Sequence, residues 1–228
     1  MIRMVVFDMA GTTVNEHNVV YKTLHRAIVQ TGLDISPEDV LRIGAGKEKR
    51  QAIEDTLLEY GQSIDDLDLI YDKFLEQLTQ AYANLEVSLM PGTESVFRNL
   101  RKAGVYVVLN TGYNRSTALS LLNKLSWQED RDFDLLVTAD QVASARPAPD
   151  MILRAMAHFC INDPGQVAKI GDSVVDIEEG RNAGCGLVFG ITGGAQDAVQ
   201  LQAAGPDAVI SLLDELLPRL QIVERFIS

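Results

Sequence analysis

Three aspartates stand where short apolar segments give way to turns, and their type and placement suit phosphorus chemistry. Asp8 follows the run Ile2 to Phe7 and opens Asp8-Met-Ala-Gly-Thr-Thr-Val14; Asp172 and Asp176 belong to Ile170-Gly-Asp-Ser-Val-Val-Asp176. Taken alone, Asp8 before Gly-Thr-Thr reads as readily as a turn or helix cap that accepts backbone N–H bonds. Asp176 reads equally as an acidic residue favoured at a helix N-terminus. Taken together, three carboxylates at one sheet edge repel one another unless a cation neutralises them. Mg2+ suits such a set, because it prefers hard oxygen ligands and keeps several waters beside a few carboxylates.

Two further segments supply groups for an anion. Leu109-Asn-Thr-Gly-Tyr113 brings the Thr111 hydroxyl and free backbone N–H groups to a strand end, where a phosphate oxygen can sit, although a Thr-Gly turn is common on its own. In Ala145-Arg-Pro-Ala-Pro149 the residue before proline is held extended, so Arg146 either clamps a phosphoryl group or is a lone surface arginine. His17, His25 and His158 lack metal-ligand spacing and read as structural or surface residues. Lys47 reads as a solvated helix-start charge, with attraction of phosphate as the alternative, and Gly193-Gly194 as a flexible turn.

The elements that must position these residues alternate. Apolar, β-branched runs at Ile2 to Phe7, Val105 to Leu109, Leu135 to Thr138, Val167 to Ile170 and Leu187 to Ile191 read as strands buried on both faces. Between them, helical spacing covers Gly92 to Ala103, Ser116 to Leu125, Pro149 to Phe159 and Asp176 to Ala183, the last stopped by Gly184. That alternation predicts an α/β fold, a doubly wound parallel sheet with helices on both faces. The stretch Asn15 to Val87 shows no convincing strand. It offers helices at Asn18 to Gln30, Pro37 to Ile43, Glu48 to Tyr60 and Ile64 to Asn84, the last with Leu67, Ile70, Phe74 and Leu78 on one face. The expected organisation is a core of residues 1–14 and 88–228 with an all-helical insert, 15–87, over the carboxyl end of the sheet, where such folds bind ligands.

Composition narrows the class. In 228 residues, 32 acidic against 20 basic side chains give a net charge of -12, a field that repels nucleic acid and leaves an anionic substrate dependent on a local cluster of metal and positive charge. Cys160 and Cys185 are too few for a disulfide framework and, beside apolar neighbours, both read as buried thiols. The apolar start is too short for a signal-peptide core or a spanning helix, so a cytoplasmic protein without membrane contact, monomer or homodimer, is expected.

The order Asp8, Thr111, Arg146 and Asp172/Asp176, all on strand-end loops, resembles the four motifs of the haloacid dehalogenase superfamily across essentially the whole chain, with 15–87 in the position of its helical cap domain. The segments quoted above, with Glu179-Gly-Arg-Asn-Ala-Gly184, resemble its phosphonatase branch, the phosphonoacetaldehyde hydrolases and phosphonatase-like relatives. The chain departs from phosphonoacetaldehyde hydrolases at Ala45, Ala52 and Asp150, where those enzymes typically carry Met, His and Trp.

The resemblance implies a Mg2+-dependent hydrolase of a small phosphonate or organophosphate. Asp8 would be the covalent nucleophile, Thr111 and Arg146 would hold the transferring group, and Thr12, Gly112, Tyr113 and Gly46 would line the substrate. Mg2+ would be held by Asp8, Asp172 and the carbonyl of Ala10, with Asp176 supporting it through water or from behind. Superfamily phosphatases carry an acidic residue two positions after the nucleophile, which is Ala10 here, whereas phosphonatases use a cap lysine in a Gly-x-x-Lys motif as a Schiff base. Gly46-Lys-Glu-Lys49 fits that motif and makes Lys49 the candidate. A phosphomonoester phosphatase with another acid, and a silent phosphoryl-ligand binder, are the alternative readings that Ala10 leaves open.

Overall fold

The computed structural model describes residues 1–220. Its strands are β1 Met4–Asp8, β2 Val14–Asn15, β3 Ser88–Leu89, β4 Tyr106–Thr111, β5 Leu135–Thr138, β6 Val167–Gly171, β7 Leu187–Ile191 and β8 Ala208–Ile210. Its helices are α1 Val19–Val29, α2 Pro37–Gly44, α3 Lys49–Glu59, α4 Leu67–Ala83, α5 Thr93–Lys102, α6 Arg115–Lys124, α7 Asp150–His158, α8 Val174–Asn182 and α9 Ala198–Ala203. Six strands form one parallel sheet in the order β5-β4-β1-β6-β7-β8. Every side chain of β1 is buried because both faces are covered: Val5 and Phe7 enter one apolar cluster, Met4 and Val6 the other.

From β1 the chain builds β4 and β5 on one side and β6 to β8 on the other. The reversal leaves a crevice outside the carboxyl ends of β1, β4 and β6, the place where doubly wound sheets bind ligands. Register sets the crevice's floor, with Asp8 opposite Asn110 and Phe7 opposite Ile170.

The five expected strands and the helices between them are present with ends shifted by at most two residues. The edge strand β8 and the six-residue helix α9 were not anticipated, because three and six residues are too short to show a periodicity. The region read as strand-free is bounded by a two-stranded antiparallel ribbon, in which Val14 pairs with Leu89 and Asn15 with Ser88. Residues 221–228, included in the expected core range, lie outside the described residues.

Between those two short strands the insert is helical, and its starts follow capping chemistry. Ser36 accepts from the Asp39 amide ahead of Pro37, and Glu48 accepts from the Arg50 and Gln51 amides, which fixes Lys49 as the first residue of α3. Helix α4 buries Leu67, Ile70, Phe74, Leu78 and, one step beyond the expected stripe, Tyr82. No helix among the described residues is long and apolar enough to cross a membrane.

Cys185 is buried, but Cys160 is exposed, contrary to expectation. It takes a left-handed backbone conformation just after α7, so its side chain turns outward while Ile161 enters the core and Phe159 stacks on Tyr106 at 4.0 Å.

Phe97 of α5 packs at 4.7 Å from Phe7 and 5.3 Å from Trp127, which in turn lies 6.3 Å from Phe133. Phe97→Ala should lower stability by about 3–5 kcal/mol and shift the fluorescence of the single tryptophan to the red. A urea midpoint and emission maximum matching wild type would show that this aromatic row does not support the sheet.

Candidate active site

Asp8 is fixed by the turn that follows it. The Met9 carbonyl accepts from the Thr13 and Val14 amides, and the Thr13 hydroxyl donates to the Asp8 carbonyl at 2.9 Å. Asp172, after β6, is gripped by two backbones that only glycine permits so close. A Cβ on Gly11, which also has φ +84°, or on Gly194 would collide with the Asp172 carboxylate. The Ala195 amide donates to that carboxylate at 2.6 Å. Gly193-Gly194, expected to be a flexible turn, is thus part of the packing around Asp172.

Beneath these two aspartates lies a buried charge network. Arg146 is 3% exposed, which excludes a surface role. Its guanidinium meets Asp8 at 2.7 Å, Asp176 at 2.9 Å and Glu179 at 3.0 Å. Lys169, fully buried in β6, lies 2.9 Å from Asp176 and 3.1 Å from Glu179. Asn110 ties the set together, accepting from Arg146 at 2.6 Å and Lys169 at 2.7 Å while donating to Glu179 at 2.8 Å. Ser173 donates to the other oxygen of Asp176.

Those contacts divide the carboxylates into two kinds. Burial pushes Asp176 upward, but Arg146 and then Lys169 outweigh it and hold the group below the usual carboxylate range. Burial raises Asp8 to about 6 against the pull of Arg146, and raises Asp172 well above its ordinary value, with the charges of Asp8 and Asp176 adding to the effect. Burial disfavours the Arg146 charge, yet Asp176, Glu179 and Asp8 together hold its pKa above the ordinary value.

When all are ionised, four carboxylates (Asp8, Asp172, Asp176 and Glu179) face the cations Arg146 and Lys169, with Lys49 nearby, and leave an excess of two negative charges in a buried site when Lys49 is neutral and one when it is protonated. A divalent cation balances that deficit, and the donor set of Asp8 and Asp172 is of the hard oxygen type that Mg2+ takes. No group of three or more His, Cys, Asp or Glu side chains forms a metal cage among the described residues. Asp176, expected to support the metal through water or from behind, pairs with Arg146 and Lys169 and accepts from Ser173.

Lys49 reaches the crevice from the insert. A Cβ on Gly46 (φ +73°) would strike Ser173 and Val175 at the start of α8, and one on Gly112 would lie 2.6 Å from the Lys47 carbonyl. These two glycines let the insert loop press against two core loops, and the Gly46 amide donates to the Tyr21 hydroxyl at 2.8 Å. Lys49 is only 5% exposed. Its Nζ donates to the Lys47 carbonyl at 2.5 Å and lies 5.1 Å from the Tyr21 ring centre and 5.6 Å from that of Tyr113. Burial lowers it to about 8, against the pull of Asp8 and Glu48, with Arg146 as the cation that assists. Arg50 and Lys47 pair with Asp68 at 2.8 Å and Asp55 at 2.5 Å.

Of the other expected residues, Thr12 and Thr111 are buried, Ala10 and His25 half-buried and His158 exposed. Thr111 accepts from the Tyr113 amide at 3.2 Å, and Thr12 Oγ1 is buried without a hydrogen-bond partner among the described residues. Ala10 bridges to Val14 in the turn after Asp8. His25 bonds the Ile35 carbonyl and His158 packs edge-on against Phe159, both structural. Lys169, Asn110 and Glu179 were missed as site residues. A lysine between apolar residues of a strand was the available signal, because lysine is almost never fully buried unless paired.

A carboxylate at the switch point of a doubly wound sheet, backed by cations and roofed by a helical insert, defines a hydrolase built to act on phosphoryl-type centres. The chain belongs to the haloacid dehalogenase-like hydrolase family, whose model matches residues 2–184. It is 30% identical to a phosphonoacetaldehyde hydrolase of Latilactobacillus sakei, over 94% of this chain and 93% of that one. The fold is shared with the crystal structure of a phosphonoacetaldehyde hydrolase-like protein from Oleispira antarctica (TM-score 0.84, 23% identity, 98% of this chain and 93% of that one). A predicted phosphoglycolate phosphatase from Haemophilus somnus shares it too (TM-score 0.77, 19% identity, 96% and 98%). Magnesium is typical of this family.

Lys169→Met should cost about 3–5 kcal/mol, since removing one partner strands Asp176 and Glu179 on a single cation. Chemical denaturation of the purified variant measures this, and a loss below about 1 kcal/mol would mean that Arg146 alone holds the network.

Proposed function

We propose that this protein hydrolyses a small phosphonate bearing a carbonyl group one carbon away from the C–P bond, through an imine on Lys49 and an aspartyl-phosphate on Asp8. The observation that carries the reading is Lys49: an amine buried between two tyrosine rings beside the Asp8 site, with its pKa lowered to about 8, in a chain whose position 10 is alanine. A phosphate ester needs an acid for its leaving alkoxide, a contribution of ~10^2–10^4-fold. An imine removes that need, because its nitrogen takes the electron pair of the breaking C–P bond.

In this scheme neutral Lys49 attacks the carbonyl carbon and water leaves, giving an iminium. Asp8 then attacks phosphorus as the C–P pair moves into an enamine, and water cleaves the aspartyl-phosphate. Arg146 orients the Asp8 carboxylate and faces the transferring group. The Thr111 and Thr12 hydroxyls and the Gly112 backbone would receive phosphoryl oxygens. Mg2+, held by Asp8, Asp172 and the Ala10 carbonyl, would supply charge neutralisation at the phosphoryl oxygens. Asp176 keeps Arg146 and Lys169 in place, and Tyr113 and Gly46 shape the Lys49 pocket.

Asp8→Asn should abolish phosphate release from phosphonoacetaldehyde by many orders of magnitude while the far-UV spectrum stays native. Turnover near the wild-type rate in that variant would remove Asp8 from its role. Chelation of Mg2+ should likewise stop phosphate release, and full activity in excess chelator would exclude the metal.

Borohydride added with phosphonoacetaldehyde should trap a modified Lys49, located by peptide mass mapping, and none in Lys49→Arg. The sign with pH follows from the lowered pKa: on the acid side of about 8 trapping should increase with pH, as the neutral amine population grows. A wild-type protein that forms no adduct yet releases phosphate from simple esters is a phosphomonoesterase, and the imine scheme fails.

A further inference from the structure

Behind the two tyrosines of the Lys49 pocket lies a carboxyl that the scheme above leaves unused. Glu16 follows β2 and is 1% exposed. Its Oε2 accepts from the Tyr82 hydroxyl at 3.1 Å, and that hydroxyl lies 3.1 Å from the hydroxyl of Tyr113, whose ring faces Lys49 Nζ. One continuous row of oxygen atoms therefore runs from a buried carboxyl to the wall of the lysine pocket. Resting on the Lys49 reading, we propose that Glu16 is the acid this chain uses in place of the carboxyl absent at position 10, exchanging a proton with the imine chemistry through the hydroxyls of Tyr82 and Tyr113.

The surroundings of Glu16 suit a proton reservoir. Facing it are the Val19 and Val20 amides of α1, Tyr82 of α4 and the charge of Lys49 on α3, with Tyr113 and Tyr21 beyond. Burial pushes its carboxyl up to about 7, more than the Val20 amide, the Tyr82 hydroxyl and Lys49 pull it down. Near neutral pH it is thus present both as acid and as base, the condition for efficient proton transfer. Burial pushes Tyr82 and Tyr113 well above their ordinary values, so both stay neutral and pass a proton by donating one while accepting another.

The proton count closes. Condensation of a neutral amine with an aldehyde to an iminium and water consumes one proton, which expels the carbinolamine hydroxyl as water. Glu16 gives it through Tyr82 and Tyr113 and becomes a carboxylate. C–P cleavage leaves a neutral enamine whose carbon takes a second proton, made good by the proton released when water cleaves the aspartyl-phosphate. Hydrolysis of the resulting iminium then regenerates the amine and releases one proton, which returns along the same row. No oxidant or further reactant enters.

Glu16 also accepts from the Val20 amide at 3.1 Å and so caps α1, for which Asn18 supplies no side-chain bond. The test must separate that role from proton transfer. Glu16→Gln keeps an acceptor oxygen for Val20 but cannot titrate, and Tyr82→Phe breaks the row while leaving the Glu16 cap bond untouched. With phosphonoacetaldehyde and Mg2+, each should lower kcat and the rate of borohydride-trapped imine formation by about 10^2-fold, with little change in KM. Wild type should also lose rate on the alkaline side as Glu16 gives up its proton, and Glu16→Gln should instead climb to a plateau above about 8. Wild-type kcat and alkaline decline in both variants overturn the relay and leave the Lys49 scheme standing. Absence of any adduct in wild type overturns both. Should Glu16→Gln fail to fold, Tyr82→Phe decides the question by itself.

Discussion

Compensation of buried carboxylates by Arg146 and Lys169 is the constraint on which the rest of this structure depends. An uncompensated charge in a protein interior costs several kcal/mol, so four acidic side chains can share the floor of one crevice only if cations come with them. Arg146 arrives from the loop after β5 and Lys169 from within β6, and Asn110 of β4 bonds both. The network thereby fastens three neighbouring strands together at the edge where the sheet changes direction. It also leaves Asp8 and Asp172 as the carboxylates least compensated by cations, the pair proposed above to hold a divalent cation. Stability and reactivity here come from one charge balance.

A second constraint is the seam between insert and sheet. Gly46 and Gly112 bring backbone against backbone, and this close approach drives the Lys49 side chain under the roof of α3. Glu48 caps the helix from the residue before the amine, so Lys49 occupies the first helical position, where the macrodipole disfavours a cation. Loop, cap and burial act in the same direction on one amine. That agreement gives the Gly-x-x-Lys spacing a physical meaning beyond a pattern of letters.

Legibility followed length and local contrast. Asp8 and Asp172 stood out in the sequence because each ends or follows an apolar run at a turn, and Arg146 because a proline follows it. The long helices of the insert were visible because Leu67, Ile70, Phe74 and Leu78 repeat over several turns. Lys169 carried its only signal in the apolar neighbours of its strand, which show that it is buried but not what it pairs with, and Glu16 had no motif around it. Its partner Tyr82 lies 66 residues away in the chain, a contact that only tertiary packing creates. Cys160 was misread because apolar neighbours on both sides say nothing of a left-handed backbone between them. Strands β2, β3 and β8 are too short for alternation to register at all.

The ribbon of β2 and β3 carries a last consequence. The chain departs for the insert at Val14 and comes back at Leu89, positions that face each other across a single strand spacing of about 4.8 Å. From the sheet's side, the whole helical excursion is a detour that begins and finishes at one point. The part of the molecule that would judge a carbon skeleton can therefore be lengthened, shortened or exchanged without shifting a strand, while the part that handles phosphorus stays as it is. Diversification of substrate in such an architecture is a problem of grafting, solved at two adjacent residues.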